Sequence, residues 1–172
     1  MKYIESGMDF KPLFTSATFQ SFYIEKSELY RKIKSEAVSS VEFIAIKNGD
    51  FYFIEAKSSF PYSNIEDIEK EEQMLYDKLQ HTLDLFIAHY LGLKKHSAHT
   101  FSECLGTKEV LEKNLSEYKL CFFLVMNGKF QEEWCANVSV ILNEKLKPLR
   151  KIWDIEIKVI TEEQARILGF IQ

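Results

Sequence analysis

Cysteine, proline and glycine are all scarce in this chain of 172 residues, with three, three and six copies. The cysteines, Cys104, Cys121 and Cys135, are odd in number, widely spaced and without a CxxC pair. That excludes a disulfide framework and predicts reduced thiols in a cytoplasmic protein. With so few prolines and glycines and no low-complexity stretch, nothing marks a linker, and residues 1–172 are expected to form a single domain. No internal repeat is present. The longest uncharged apolar run of the C-terminal half, Leu120 to Met126, is far too short to cross a membrane. The opening "MKYIESGMDF" has early acids and no signal-peptide core.

Familiar motifs are missing too. No HExxH, P-loop, GxGxxG or GxSxG occurs, which removes the usual zinc protease, nucleotide-binding and serine-hydrolase readings. His96, His99 and Cys104 lack a fourth zinc ligand at the usual spacing and read as a polar loop. His81 and His89 lie two helical turns apart, which suits a helix surface.

What is present is ordinary for a folded domain, 46% hydrophobic and 28% charged, with a net charge of −4. That balance argues against a generic nucleic-acid coat but allows phosphate to be gripped locally. The positives gather in "EKLKPLRK", at Lys145, Lys147, Arg150 and Lys151, and again at Lys94-Lys95-His96. The negatives gather in "IEDIEKEE", residues 65–72. Both clusters also suit solvated helix faces.

Periodicity orders the elements. The aromatic stretch 17–25 reads as a strand, and "SELYRKIKSE" as a helix capped by Ser27. A hairpin spans residues 40–58. After Pro61, Ile65, Ile68, Leu75, Leu79, Phe86, Ile87 and Tyr90 recur at helical spacing as far as Gly92. Residues 93–117 read as loop plus a short helix. "YKLCFFLVMNG" is apolar on both sides, like a central strand. A helix is expected from about Glu132 to Lys151, disturbed at Pro148. "WDIEIKVI" alternates as a strand with one wet face, and Thr161 with Gln164 suits the capping box of a closing helix. The expected class is α/β (α+β): a three-layer sandwich with a central mixed sheet flanked by helices.

The hairpin holds an anomaly. Asn48-Gly49 is a favoured two-residue turn, which pairs Ile46 with Phe51, Ala45 with Tyr52, Ile44 with Phe53, Phe43 with Ile54 and Glu42 with Glu55. Alternation puts Glu42, Ile44, Ile46, Phe51, Phe53, Glu55 and Lys57 on one face. Two glutamates would then be neighbours across apolar strands, with Cβ atoms roughly 4.5–5.5 Å apart. Their repulsion would raise one pKa, and a divalent cation between them would remove it. Carboxylate oxygens suit Mg²⁺, Mn²⁺ or Ca²⁺. Lys57 is placed to pair with a carboxylate or to orient a water. A buried Glu–Lys pair with no ligand explains the same residues.

Glu42, a hairpin, then Glu55-Ala56-Lys57 resembles the PD-(D/E)XK superfamily, the restriction-endonuclease-like nucleases. The resemblance implies a core of helix, three strands, helix and strand over most of the chain. It implies that Glu42 and Glu55 are the metal-holding acids, that the Ala56 carbonyl joins them, and that Lys57 positions the attacking water. It also implies an acid on the first helix, for which Glu28 is the candidate and Glu25 and Glu36 are rivals. Gln73 and Tyr76 lie near the polar residue and tyrosine of some branches, at shorter spacing. The sequence departs from the pattern in having no Pro-Asp pair and a glutamate as first acid.

The expected activity is therefore Mg²⁺- or Mn²⁺-dependent hydrolysis of phosphodiester bonds in nucleic acid, with DNA as the first substrate to test. Ser58 and Ser59 are candidate phosphate donors, and Lys147 and Arg150 candidate backbone contacts. The acidic balance also suits a catalytically inactive member of the fold, working as a protein-interaction or regulatory module. A third reading is a homodimer that uses the wet-faced strand 153–160 as an edge.

Overall fold

The computed structural model describes residues 3–26, 28–61, 63–90, 117–128 and 132–172. Of the expected loop and short helix at 93–117, residues 93–116, with Lys94, Lys95, His96, His99 and Cys104, lie outside the described residues.

Seven strands and six α-helices are described. A small ribbon of β1 (Ile4–Glu5) and β2 (Met8–Asp9) precedes helix α1 (Pro12–Thr15). Strand β3 (Gln20–Tyr23) leads through a 3-10 turn, Ile24–Lys26, to α2 (Glu28–Ile33). The hairpin is β4 (Phe43–Lys47) and β5 (Asp50–Lys57). Helix α3 (Ile65–Tyr90), strand β6 (Leu120–Met126), helices α4 (Glu132–Lys145) and α5 (Lys147–Trp153), strand β7 (Ile155–Thr161) and helix α6 (Glu162–Leu168) complete the order.

The main sheet runs β3-β4-β5-β6-β7. The first three strands are antiparallel, while β5, β6 and β7 are parallel. Asn48 and Gly49, at φ 55° and 89°, form the hairpin turn, and Lys47 pairs with Asp50 across it. Both positive φ values are what a two-residue primed turn requires, which asparagine and glycine meet at least cost.

Alternation sends successive residues to opposite layers. On one face Ile44, Ile46, Phe51, Phe53, Phe122 and Leu124 pack against Leu75, Leu79, Leu83 and Phe86 of α3 and Val138 and Leu142 of α4. On the other, Phe43, Ala45, Ile54, Phe123 and Val125 meet Met8, Phe10 and Leu13 from the N-terminal segment and Phe170 and Ile171 from the C-terminus. The fold is thus mixed α/β with packed layers on both faces of the sheet. The Phe86 ring lies 4.9 Å from that of Phe51 and 6.1 Å from Phe53, so α3 is clamped on the hairpin. Burying each such side chain contributes about 1.5–3 kcal/mol.

Three features bear on the expectations. The N-terminal ribbon was not foreseen, because two-residue strands carry no readable alternation. Helix α2 lies between β3 and β4, where the helical reading of "SELYRKIKSE" put it, so the uninterrupted three strands that the resemblance implies are not met. The helix expected from about Glu132 to Lys151 and disturbed at Pro148 is two, meeting at Leu146 with Pro148 in the first turn of the second. Proline lacks the N–H that a continuous helix would need there.

Candidate active site

The anomalous charges of the hairpin converge at the C-terminal end of β5. Glu55 and Lys57 stand on the α3 face, beside Leu124 and Met126 of β6. Helix α3 runs back across this face and carries Glu71 and Lys78, two turns apart and therefore on one side. Lys78 Nζ donates to Glu55 Oε1 at 2.7 Å and lies 3.8 Å from Glu25 Oε1. Lys57 Nζ lies 2.8 Å from Glu71 Oε1 and 3.8 Å from Glu55 Oε1. Glu55 is 1% exposed and Glu42 6%.

The register holds as expected from Ile46–Phe51 to Phe43–Ile54, and the ladder stops one pair short of Glu42 and Glu55. The chain bends at Glu42, whose carbonyl accepts from Ile24 N–H at 2.9 Å. The Glu42 carboxylate reaches over to the next strand, where its Oε2 accepts from Ala56 N–H at 2.5 Å. The two carboxylates are still coupled. Burial first, and then the Glu55 charge, push the Glu42 pKa well above the usual carboxylate range. Lys78 and the Ala56 N–H only partly offset this. Burial also raises Glu55, against the opposing pull of Lys78 and Lys57. Burial pulls Lys78 down, but Glu55, Glu42 and Glu25 outweigh it, so its pKa ends above the ordinary lysine value.

Glu55 Oε2 and Glu71 Oε1 are the buried oxygens of this cluster without a hydrogen bond among the described residues, and Glu71 Oε1 has the ion pair with Lys57. A buried carboxylate oxygen without a partner is costly, by about 1–3 kcal/mol or more. With the remaining oxygen of Glu42, Glu55 Oε2 offers hard donors of the kind Mg²⁺ and Mn²⁺ prefer. No group of three or more His, Cys, Asp and Glu side chains among the described residues is arranged to hold a metal. A cation here would be held by two carboxylates, with a carbonyl, water or substrate oxygens completing its shell.

The Ala56 carbonyl, the third implied ligand, already has a partner. Ser6 Oγ donates to it at 2.9 Å, and Asn127 Nδ2 donates to the Ser6 carbonyl at 2.7 Å. Ser6 and Gly7, at φ 51° and 81°, turn the β1–β2 ribbon tightly over this end of β5. A carbonyl oxygen has two lone pairs, so the serine leaves one.

The remaining predicted residues divide. Ser58 and Ser59 are exposed directly after Lys57. Gln73 is exposed and bonded to Asp77 at 2.8 Å, while Tyr76 packs partly buried against the core. Glu28 opens α2, but its side chain lies outside the described residues. Its rival Glu25 reaches Lys78, and Glu36 is exposed. Lys147 and Arg150 are exposed on α5, which leads into β7 at Ile155. Ile155 pairs with Leu120, and Leu120 with Phe51, so the basic stretch meets the far end of the sheet from Lys57. That separation is about 20 Å at strand rise. His81 accepts from the Ser39 backbone at 3.2 Å, a structural role.

Sequence reading missed Lys78, Glu71 and Ser6. The signal for Lys78 was a lysine beside Leu79 and three residues past Leu75, on the border of a helix face otherwise buried. Glu71, seven residues earlier, shares that side. No protein-family model matches the chain, and comparison with curated proteins and solved structures finds no match.

Proposed function

We propose that the cluster of Glu42, Glu55, Lys57 and Lys78 is the active site of a metal-dependent nuclease with a restriction-endonuclease-like core. The observation that carries this reading is the unpartnered, buried Glu55 Oε2 coupled to the Glu42 carboxylate. The strand order supports it, with an antiparallel hairpin followed by a parallel strand beyond the Glu-Ala-Lys stretch.

A divalent cation held by Glu42, Glu55 and the Ala56 carbonyl would supply an activated water and draw charge from the phosphoryl oxygens. The side chains provide the rest. Lys78 favours the ionised form of Glu55 against its burial and holds its Oε1, leaving Oε2 unpaired. Lys57, tethered by Glu71, orients the attacking water and balances charge developing on the phosphate. Ser58 and Ser59 stand where a phosphate oxygen of the substrate would pass. The substrate class is nucleic acid, with DNA first.

The test is cleavage of single- and double-stranded DNA and RNA with Mg²⁺, Mn²⁺ or chelator. Metal-dependent cleavage that survives purification of the wild type and is lost in Lys57→Ala is the expected result. No cleavage of any of these by folded protein that binds metal would contradict the reading.

A second reading has its own observation. Lys78 on Glu55, Ala56 N–H on Glu42 and Ser6 on the Ala56 carbonyl supply partners from the protein itself. A cluster neutralised internally suits a catalytically inactive interaction module, and such a protein would bind no metal here.

A further inference from the structure

We infer that the outer edge of β7 is a homodimer interface, where β7 pairs antiparallel with β7 of a second copy about a two-fold axis at Ile157. This is independent of the proposed hydrolysis.

The sheet has two edges. One, β3, is four residues long; the other, β7, is seven, and no described strand pairs with its outer side. In parallel pairing with β6, alternate residues of β7 turn their N–H and C=O groups outward, where they need partners. An apolar groove of about 420 Å³ straddles this edge. Ile157 and Val159 line it beside Ser139 of α4, and Ile167 and Leu168 of α6 line it on the opposite side. Ile167 is 80% exposed, although it is a large apolar side chain at the lip of a groove. A neighbouring strand with its own flanking helices would cover all of this.

Charge selects a second copy as that neighbour. Glu156 and Lys158 project from the same face of β7, 44% and 46% exposed; they pair with each other at 2.9 Å within the chain, and Glu156 also pairs with Lys119 at 2.8 Å. With the two-fold axis perpendicular to the sheet, each residue must face one on the same side, so the axis passes through a residue. Centred on Ile157, the pairing sets Glu156 opposite Lys158 of the second copy, twice over. Centred on Lys158 it opposes two lysines, and centred on Glu156 two glutamates. Opposite charges directly across antiparallel strands stabilise and like charges destabilise. A lysine in the middle of an edge strand also discourages unregistered pairing. Of these three registers, the one at Ile157 gives each Lys158 a glutamate across the interface without setting like charges directly opposite.

The experiment is sedimentation equilibrium of the full chain, with circular dichroism to verify the fold of each variant. Wild type is expected to be dimeric. Lys158→Glu places two glutamates opposite one another and is expected to weaken the dimer by roughly tenfold or more. The exchanged pair, Glu156→Lys with Lys158→Glu, is expected to restore it. A folded wild type that stays monomeric at its highest soluble concentration overturns the inference and leaves the edge to a different protein. A dimer indifferent to Lys158→Glu, or not recovered by the exchange, overturns the register.

Discussion

Lys78 reaches Glu55 from 23 residues along the chain, donating to Oε1 at 2.7 Å and supplying a counter-charge to the most buried carboxylate of the site. The contact joins α3 to the centre of the sheet. It makes the cluster depend on the helix packing, because Lys78 is positioned by Leu75 and Leu79, both fully buried on either side of it.

Removing that ammonium leaves a buried carboxylate with its main compensation gone. Lys78→Met is expected to cost about 3 kcal/mol, as for other buried pairs broken on one side. The double variant Lys78→Met with Glu55→Gln should recover much of the loss. Urea unfolding of the three proteins measures both. Equal stability of Lys78→Met and wild type would show the pair to be solvated.

The pH dependence follows from the raised carboxylates. The folded-state pKa of Glu42 lies above its unfolded value, so the folded chain holds the extra proton. Its contribution to stability is complete below the ordinary glutamate value of about 4.3 and is lost as pH rises through the raised folded value. Glu55 adds in the same direction, the two titrating as a coupled pair. Without metal, Glu42→Gln should therefore be more stable than wild type at pH above that window, and its stability should fall less as pH rises. Gln retains an acceptor for the Ala56 N–H. Thermal unfolding across mildly acidic to alkaline pH reads the difference, and parallel curves would rule out the coupling.

The turn of the N-terminal ribbon lies close against Asn127. A Cβ on Gly7 would meet Asn127 Nδ2 at 3.0 Å, and its φ of 81° strains any L side chain. Gly7→Ala is expected to destabilise by about 1–2 kcal/mol and to loosen Ser6 from the Ala56 carbonyl. Hydrogen exchange at residues 3–10 should rise before global unfolding does. Unchanged protection would mean that the ribbon is anchored elsewhere.

Lys57 separates chemistry from architecture. It is half-buried and paired with Glu71, so Lys57→Ala should change stability by only about 1 kcal/mol. If it orients the attacking water, cleavage should fall by about a hundredfold or more while metal affinity changes little. Activity that survives the substitution would remove Lys57 from the mechanism.

The sequence made the hairpin legible because its turn, its alternation and its misplaced charges all agree. The central strand β6, the break at Pro148 and the Thr161–Gln164 capping box could be read for similar reasons, each a local pattern with a local cause. The bend at Glu42 could not, since it depends on Ile24 arriving from β3 to take the carbonyl. Nor could Lys78 and Glu71, which join the site only once α3 is laid across the sheet. Ser6 was hidden in a ribbon too short to show a period.

The most direct measurement is a calorimetric titration of Mn²⁺ into wild type and Glu55→Gln, with and without a short DNA duplex. Saturable binding to wild type that is lost in Glu55→Gln is the expected result, the vacant Oε2 being the donor removed. No binding to folded wild type, even with duplex present, would contradict a metal site here and make Glu42, Glu55, Lys57 and Lys78 a structural charge cluster.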